Sequence, residues 1–162
     1  MKTRNSLPIL ASVLLAASTS LAAPDPRCPA VPGEPKLVSV LVSCTNVQEK
    51  GLKLDCKVSD DRPEVHFCNK DTVRWDLSQD RNNNLVKAGA KLEILFYQPH
   101  PFKDGELGED NDTQSAKGKG GWKGGVPRPD SAGDNEYAII VRIGSGKDAR
   151  ASVKDPRIVV VP

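Results

Sequence analysis

The chain has 162 residues, with 13 glycines, 13 prolines, only 4% aromatic residues and a formal net charge of +2. One domain fits that length, and neither Gly-X-Y triplets nor sustained heptads occur, which excludes collagen and coiled coil. A single apolar stretch stands out, too little for a protein that crosses a membrane repeatedly.

That stretch comes first. Lys2 and Arg4 precede an apolar run from Leu7 to Leu15, followed by small and polar residues up to Ala23. This is the pattern of a secretory signal peptide over residues 1–23. The run is about half the roughly 20 residues a membrane span needs, and Pro8 interrupts it. Cleavage after Ala23, or one residue earlier, leaves 21 basic residues against 21 acidic ones, because Lys2 and Arg4 depart and no acid does. A balance of zero argues against a nucleic-acid partner, since phosphate neutralisation needs surplus positive charge. The expected address is the periplasm or the medium, with no membrane span left after cleavage.

Residues 24–35 hold five prolines and form an extended arm rather than a helix. From Lys36 to Thr45 and from Leu52 to Val58, alternating apolar residues predict the two strands of a hairpin. A three-residue loop over Glu49–Gly51, with Gly51 left-handed, would set the register. Residues whose numbers sum to 100 then face one another, Cys44 and Cys56 among them. Four cysteines in an exported chain predict two disulfides, and three connectivities are possible. The hairpin register favours Cys44 with Cys56, leaving Cys28 to tie the arm to Cys68. No Cys-x-x-Cys occurs, so metal and redox motifs of that type are not expected.

Val65 and Phe67 mark a third short strand, and Asn69–Asp71 a turn. Val73, Trp75 and Leu77 alternate with polar residues in a fourth strand. Ser78 to Asn84 is polar and predicts a loop, and Leu92, Ile94 and Phe96 share a face of a strand over Lys91–Tyr97. Tyr137, Ile139, Val141 and Ile143 do the same over Glu136–Ile143, and Arg157–Val161 is a nearly continuous apolar strand. Seven short strands predict an antiparallel all-β sandwich spanning residues 36–162, with no helical stripe anywhere.

Between Gln98 and Asn135 the composition changes to polar, charged and Gly-rich, which predicts one long loop of a functional or unstructured kind. Its first half concentrates Asp104, Glu106, Glu109, Asp110 and Asp112, an oxygen-rich set suited to calcium although without EF-hand order. Its second half, Lys117-Gly-Lys119-Gly-Gly-Trp122-Lys123, suits an anionic partner, with Trp122 as anchor and the lysines steering approach. Phe102 and His100, in Pro99-His100-Pro101-Phe102, are further candidate contacts. Asn111-Asp112-Thr113 matches a glycosylation acceptor.

The expected sandwich is of the immunoglobulin-like or cupredoxin-like kind; Asp71-Thr72-Val73-Arg74-Trp75, the Tyr137–Ile143 strand and the Asp155–Val160 strand resemble the strand pattern of cupredoxin-like domains. The resemblance implies copper held by two histidines, a thiolate and a weak axial ligand. The chain departs from it where the ligands belong: Gly144–Lys154 carries no Cys, His or Met, leaving at most a degenerate copper site near His66 and His100. No serine lies in a Gly-x-Ser-x-Gly elbow, so hydrolase chemistry is not expected. The sequence therefore points to a non-enzymatic module that contacts a protein or cell-envelope component through residues 98–135, with calcium or copper binding as the alternative.

Overall fold

The computed structural model describes residue 23 and residues 25–81, 83–103, 105–110 and 121–162. The expected signal peptide lies outside them except for Ala23. Among the described residues ten strands build two five-stranded sheets, more than the seven expected. The first sheet contains β1 (Leu37–Thr45), β2 (Asp55–Val58), β4 (Thr72–Leu77), β8 (Leu107–Asp110) and β9 (Gly121–Gly124), in the order β2-β1-β4-β9-β8. The second contains β3 (Glu64–His66), β7 (Lys91–Phe96), β10 (Gly133–Ile143), β11 (Arg150–Lys154) and β12 (Arg157–Val161). A two-residue ladder, β5 (Gln79–Asp80) with β6 (Asn83–Asn84), sits in the predicted polar loop. No helix among the described residues is long and apolar enough to cross a membrane.

Pairing is mixed rather than wholly antiparallel. β1 runs parallel to β4, and β12 parallel to β3, while the other ladders are antiparallel. Each parallel pair arises because the chain crosses between sheets before returning: β1 and β2 lie in the first sheet, β3 in the second, and β4 comes back beside β1.

Period-two burial sets which side of each strand enters the core. Val40, Val42 and Cys44 of β1 are buried, as are Val73, Trp75 and Leu77 of β4, with Ser39, Arg74 and Asp76 facing out. Opposite them lie Leu92 and Ile94 of β7, and Tyr137, Ile139, Val141 and Ile143 of β10. Trp75 is fully buried at the centre, edge-on to Tyr137 with ring centroids 5.6 Å apart. Its indole N–H donates to the Tyr137 hydroxyl at 3.1 Å, so the polar atom of the largest core residue is satisfied from the facing sheet.

β11 and β12 share one register against β10. Ile143 pairs with Arg150 and Gly133 with Val160, so both pairs of residue numbers sum to 293. They are one long strand interrupted at Asp155-Pro156, where proline lacks the N–H a ladder needs. The Pro156 carbonyl still accepts from Tyr137 N at 3.2 Å, which keeps the two halves aligned.

Both disulfides are present, Cys44–Cys56 and Cys28–Cys68. Cys44 stands directly opposite Cys56. Ser59 N donates to Leu41 O one step beyond the ladder, so the cysteines occupy a non-hydrogen-bonded pair, where opposite strands approach most closely; their Cα atoms are 3.9 Å apart. The expected register therefore holds, but the expected three-residue loop does not. The ladder ends at Thr45–Asp55, and the residues between form a longer loop in which Val47 and Leu54 turn into the core. The Arg150 guanidinium holds that loop by donating to the carbonyls of Asn46, Glu49 and Val47 at 2.5, 2.6 and 2.8 Å. Gly51 has φ 75°, as anticipated.

At the other end, Cys28–Cys68 and a bond from Gly33 N to Asn69 Oδ1 (2.7 Å) fasten the N-terminal arm. The Arg27 guanidinium lies 5.0 Å from the Phe67 ring centre, and Asp25, bonded to Arg27, has its carboxyl lowered to about 2. Asp71, 1% exposed, joins the sheets here: its carboxylate accepts from Lys36 N beside β1 at 2.9 Å and from His66 N of β3 at 3.0 Å. Removing it leaves the part-buried Lys36 and His66 amides without their carboxylate acceptor and breaks the link between the sheets. Asp71→Ala is therefore expected to lose about 3 kcal/mol in urea unfolding, and Asp71→Asn, which keeps one acceptor, roughly half of that; an Ala variant as stable as the parent would remove this clasp from the account.

Candidate binding region, residues 98–135

Residues 98–135 are not one loop. They contribute β8 and β9 to the first sheet, with β9 paired to β4 so that Trp122 stands opposite Trp75. The pair extends one face of an already buried strand, and close packing there accounts for Gly124 of β9 and for Gly125 just beyond it. A Cβ at Gly124 would lie 2.6 Å from the Phe102 ring and 2.8 Å from Val73, and one at Gly125 would lie 2.1 Å from the Glu106 carboxylate. Close approach of side chains from neighbouring segments selects for glycine at both positions.

The aromatic residues proposed as contacts are structural anchors. Phe102 is 0% exposed, bridges to Pro127, and packs edge-on against Trp75 and Phe96 with centroids 6.2 and 6.0 Å away. Trp122 is half-buried and faces inward with Trp75, and its Nε1–H donates to the Leu92 carbonyl at 2.7 Å. Tyr97 N donates to Glu136 O, so residues 91, 93, 95 and 97 of this segment bond to β10 and the Leu92 carbonyl points to the open edge of β7. Trp122 thus blocks that edge and ties it to the first sheet. His100, half-buried, stacks on Phe102 at 6.3 Å, and its carbonyl accepts from Arg128 Nη2 at 3.1 Å. Arg128 N and Ser131 Oγ both donate to Pro101 O, at 2.7 and 3.0 Å, which locks the two ends of the region together.

Lys123 is exposed on the outward side of β9, opposite Arg74. Lys117 and Lys119 lie outside the described residues, as do Asp104, Asp112 and the Asn111 acceptor. Among the expected calcium ligands, Glu109 and Asp110 lie in β8, opposite Trp122 and Gly121. Glu106 already accepts from Val126 N at 2.9 Å and packs on Gly125. For copper, the decisive fact is that all four cysteines are bonded in disulfides, so no thiolate is free. The His66 ring nitrogens face Pro162 O at 2.8 Å and Glu64 Oε1 at 3.1 Å. Among the described residues no group of three or more His, Cys, Asp or Glu is placed to hold a metal ion.

Comparison with known protein families and with curated proteins finds no match for this chain. The fold therefore defines a class only: an all-β, two-sheet, disulfide-bonded protein, whose bridges are consistent with an oxidising compartment.

The aromatic cluster makes a pH prediction. Burial pushes the Tyr137 hydroxyl from 10.0 up to about 12, against the opposing effect of the Trp75 hydrogen bond. The unfolded chain then loses this proton more readily than the folded one, so the contribution is complete below about pH 10 and is lost as pH rises towards about 12. Chemical unfolding across that interval should show a loss of order 2 kcal/mol that is absent in Tyr137→Phe; equal slopes for the two proteins would contradict the assignment.

Proposed function

We infer that this is an exported, non-enzymatic binding module that contacts a protein or cell-envelope component through residues 98–135. The export half of this reading rests on the N-terminal signal pattern, the absence of unpaired thiols and the two bridges. The observation that carries the contact half is the anchoring of β8 and β9. Phe102 and Trp122 are spent inside the fold, so the pair stands on a rigid base, and the segment between its paired ends Asp110 and Gly121 is polar and basic. Recognition residues set on a stiff scaffold lose less entropy on binding than those on an unsupported loop. Phe102 and Trp122 then act as supports, and Lys117, Lys119 and Lys123 as the groups that meet an anionic surface.

The test uses the envelope fraction of the natural host and purified protein carrying a photo-crosslinker at position 116, in place of Ala116 and beside the lysines under test. A discrete adduct is expected from the parent and its loss from Lys117→Glu/Lys119→Glu/Lys123→Glu, with thermal unfolding of the variant unchanged. An adduct pattern that survives the triple charge reversal removes this region as the contact.

A further inference from the structure

The outer face of the second sheet carries an apolar centre that the fold leaves uncovered. Leu95 and Tyr97 of the β7 segment and Val153 of β11 are 52%, 60% and 53% exposed, and Ile140 of β10 lies half-buried between them. Register fixes their arrangement. On this face Leu95, Ala138 and Asp155 form one row, Glu93, Ile140 and Val153 the next, and Lys91, Arg142 and Ala151 the third. Tyr97 crosses β10 to bond the Asp155 carboxylate, which pushes the Tyr97 hydroxyl's pKa up, and Arg142 pairs with Glu93 at 3.4 Å.

The charges at the corners are what identify an occupant. Lys91, exposed and with no ion-pair or hydrogen-bond partner among the described residues, and Asp155 stand at diagonally opposite corners about Ile140. A two-fold axis lying in the face and passing over Ile140 exchanges those corners. It lays Lys91 and Arg142 of each copy over the Asp155 side of the other, while Ile140, Leu95 and Val153 meet their counterparts close to the axis. We propose that this face is the interface of a two-fold dimer of the chain, closed by the apolar centre and by two symmetry-related Lys91–Asp155 contacts. Isologous packing of this kind requires a patch that is complementary to itself, and the diagonal placement of opposite charges supplies it. Equal numbers of acidic and basic residues over 24–162 remove net repulsion between copies.

Sedimentation equilibrium on the purified, disulfide-intact protein decides the matter. A concentration-dependent dimer is expected, weakened at least about tenfold by Val153→Glu, which buries an unpaired carboxylate. Leu41→Glu, on the outer face of the first sheet, should leave it unchanged. Lys91→Asp and Asp155→Lys should each weaken association, and the two together in one chain should restore it, a rescue that a merely destabilised fold would not give. A monomer throughout the accessible concentration range, a dimer broken by Leu41→Glu but not by Val153→Glu, or failure of the double exchange to rescue overturns the proposal.

Discussion

Burying an indole between two sheets is favourable only if its N–H finds an acceptor there, and this fold is arranged around that requirement. Trp75 buries the largest side chain of the core on β4, and Tyr137, on the facing strand β10, offers the hydroxyl that accepts its proton. Both residues sit on central strands. β4 lies between β1 and β9, and β10 between β7 and the interrupted β11–β12 strand, so the bond joins the middles of the two sheets rather than their margins. Phe96 stacks on Tyr137 at 5.2 Å and Phe102 packs edge-on to Trp75, so four of the chain's few aromatic residues serve one layer.

Around that layer the margins are closed by polar devices. Arg150 gathers three loop carbonyls at one end, and Asp71 joins Lys36 to His66 at the other. Each disulfide lies beside one of these: Cys44–Cys56 in the hairpin that Arg150 holds, and Cys28–Cys68 next to the Asp71 clasp. A domain of this size with so few aromatic residues has a modest core, and bridges that restrict the unfolded chain add to its margin. The same economy explains the candidate binding region. Its aromatic residues are drawn into the core layer, and what it can offer a partner is the charge that cannot follow them.

Much of the fold was legible in the sequence, and the reason is visible residue by residue. β1, β4, β7 and β10 carry large apolar residues at every second position and bury that side, and β12 is a nearly continuous apolar run, so the hydrophobic pattern alone located them. The Cys44–Cys56 register followed from the same parity. β9 was hidden because one of its inward positions is glycine, and β8 because Leu107 is its one apolar residue. Gly124 contributes to the interior by admitting Phe102 and Val73, which no count of hydrophobic residues detects. β11 was hidden because Ala151 and Ser152 give little apolar contrast and Pro156 breaks its continuity with β12. The inward course of Phe102 and Trp122 was missed for a simpler reason: their polar neighbours suggested a solvent-facing tip, whereas large aromatic surface in a chain with only seven aromatic residues is drawn to the core. The Gly-rich spacing around Trp122, with Trp122 and Gly124 on opposite sides of Lys123, was the signal available for a strand there.

The account stands on the Trp75–Tyr137 contact acting as a coupling between sheets rather than as two independently buried rings. A double-mutant cycle with Trp75→Phe, Tyr137→Phe and the double variant, read by urea unfolding at neutral pH, measures that coupling. The account predicts an interaction energy of about 1 kcal/mol. Effects that add within about 0.3 kcal/mol would contradict it.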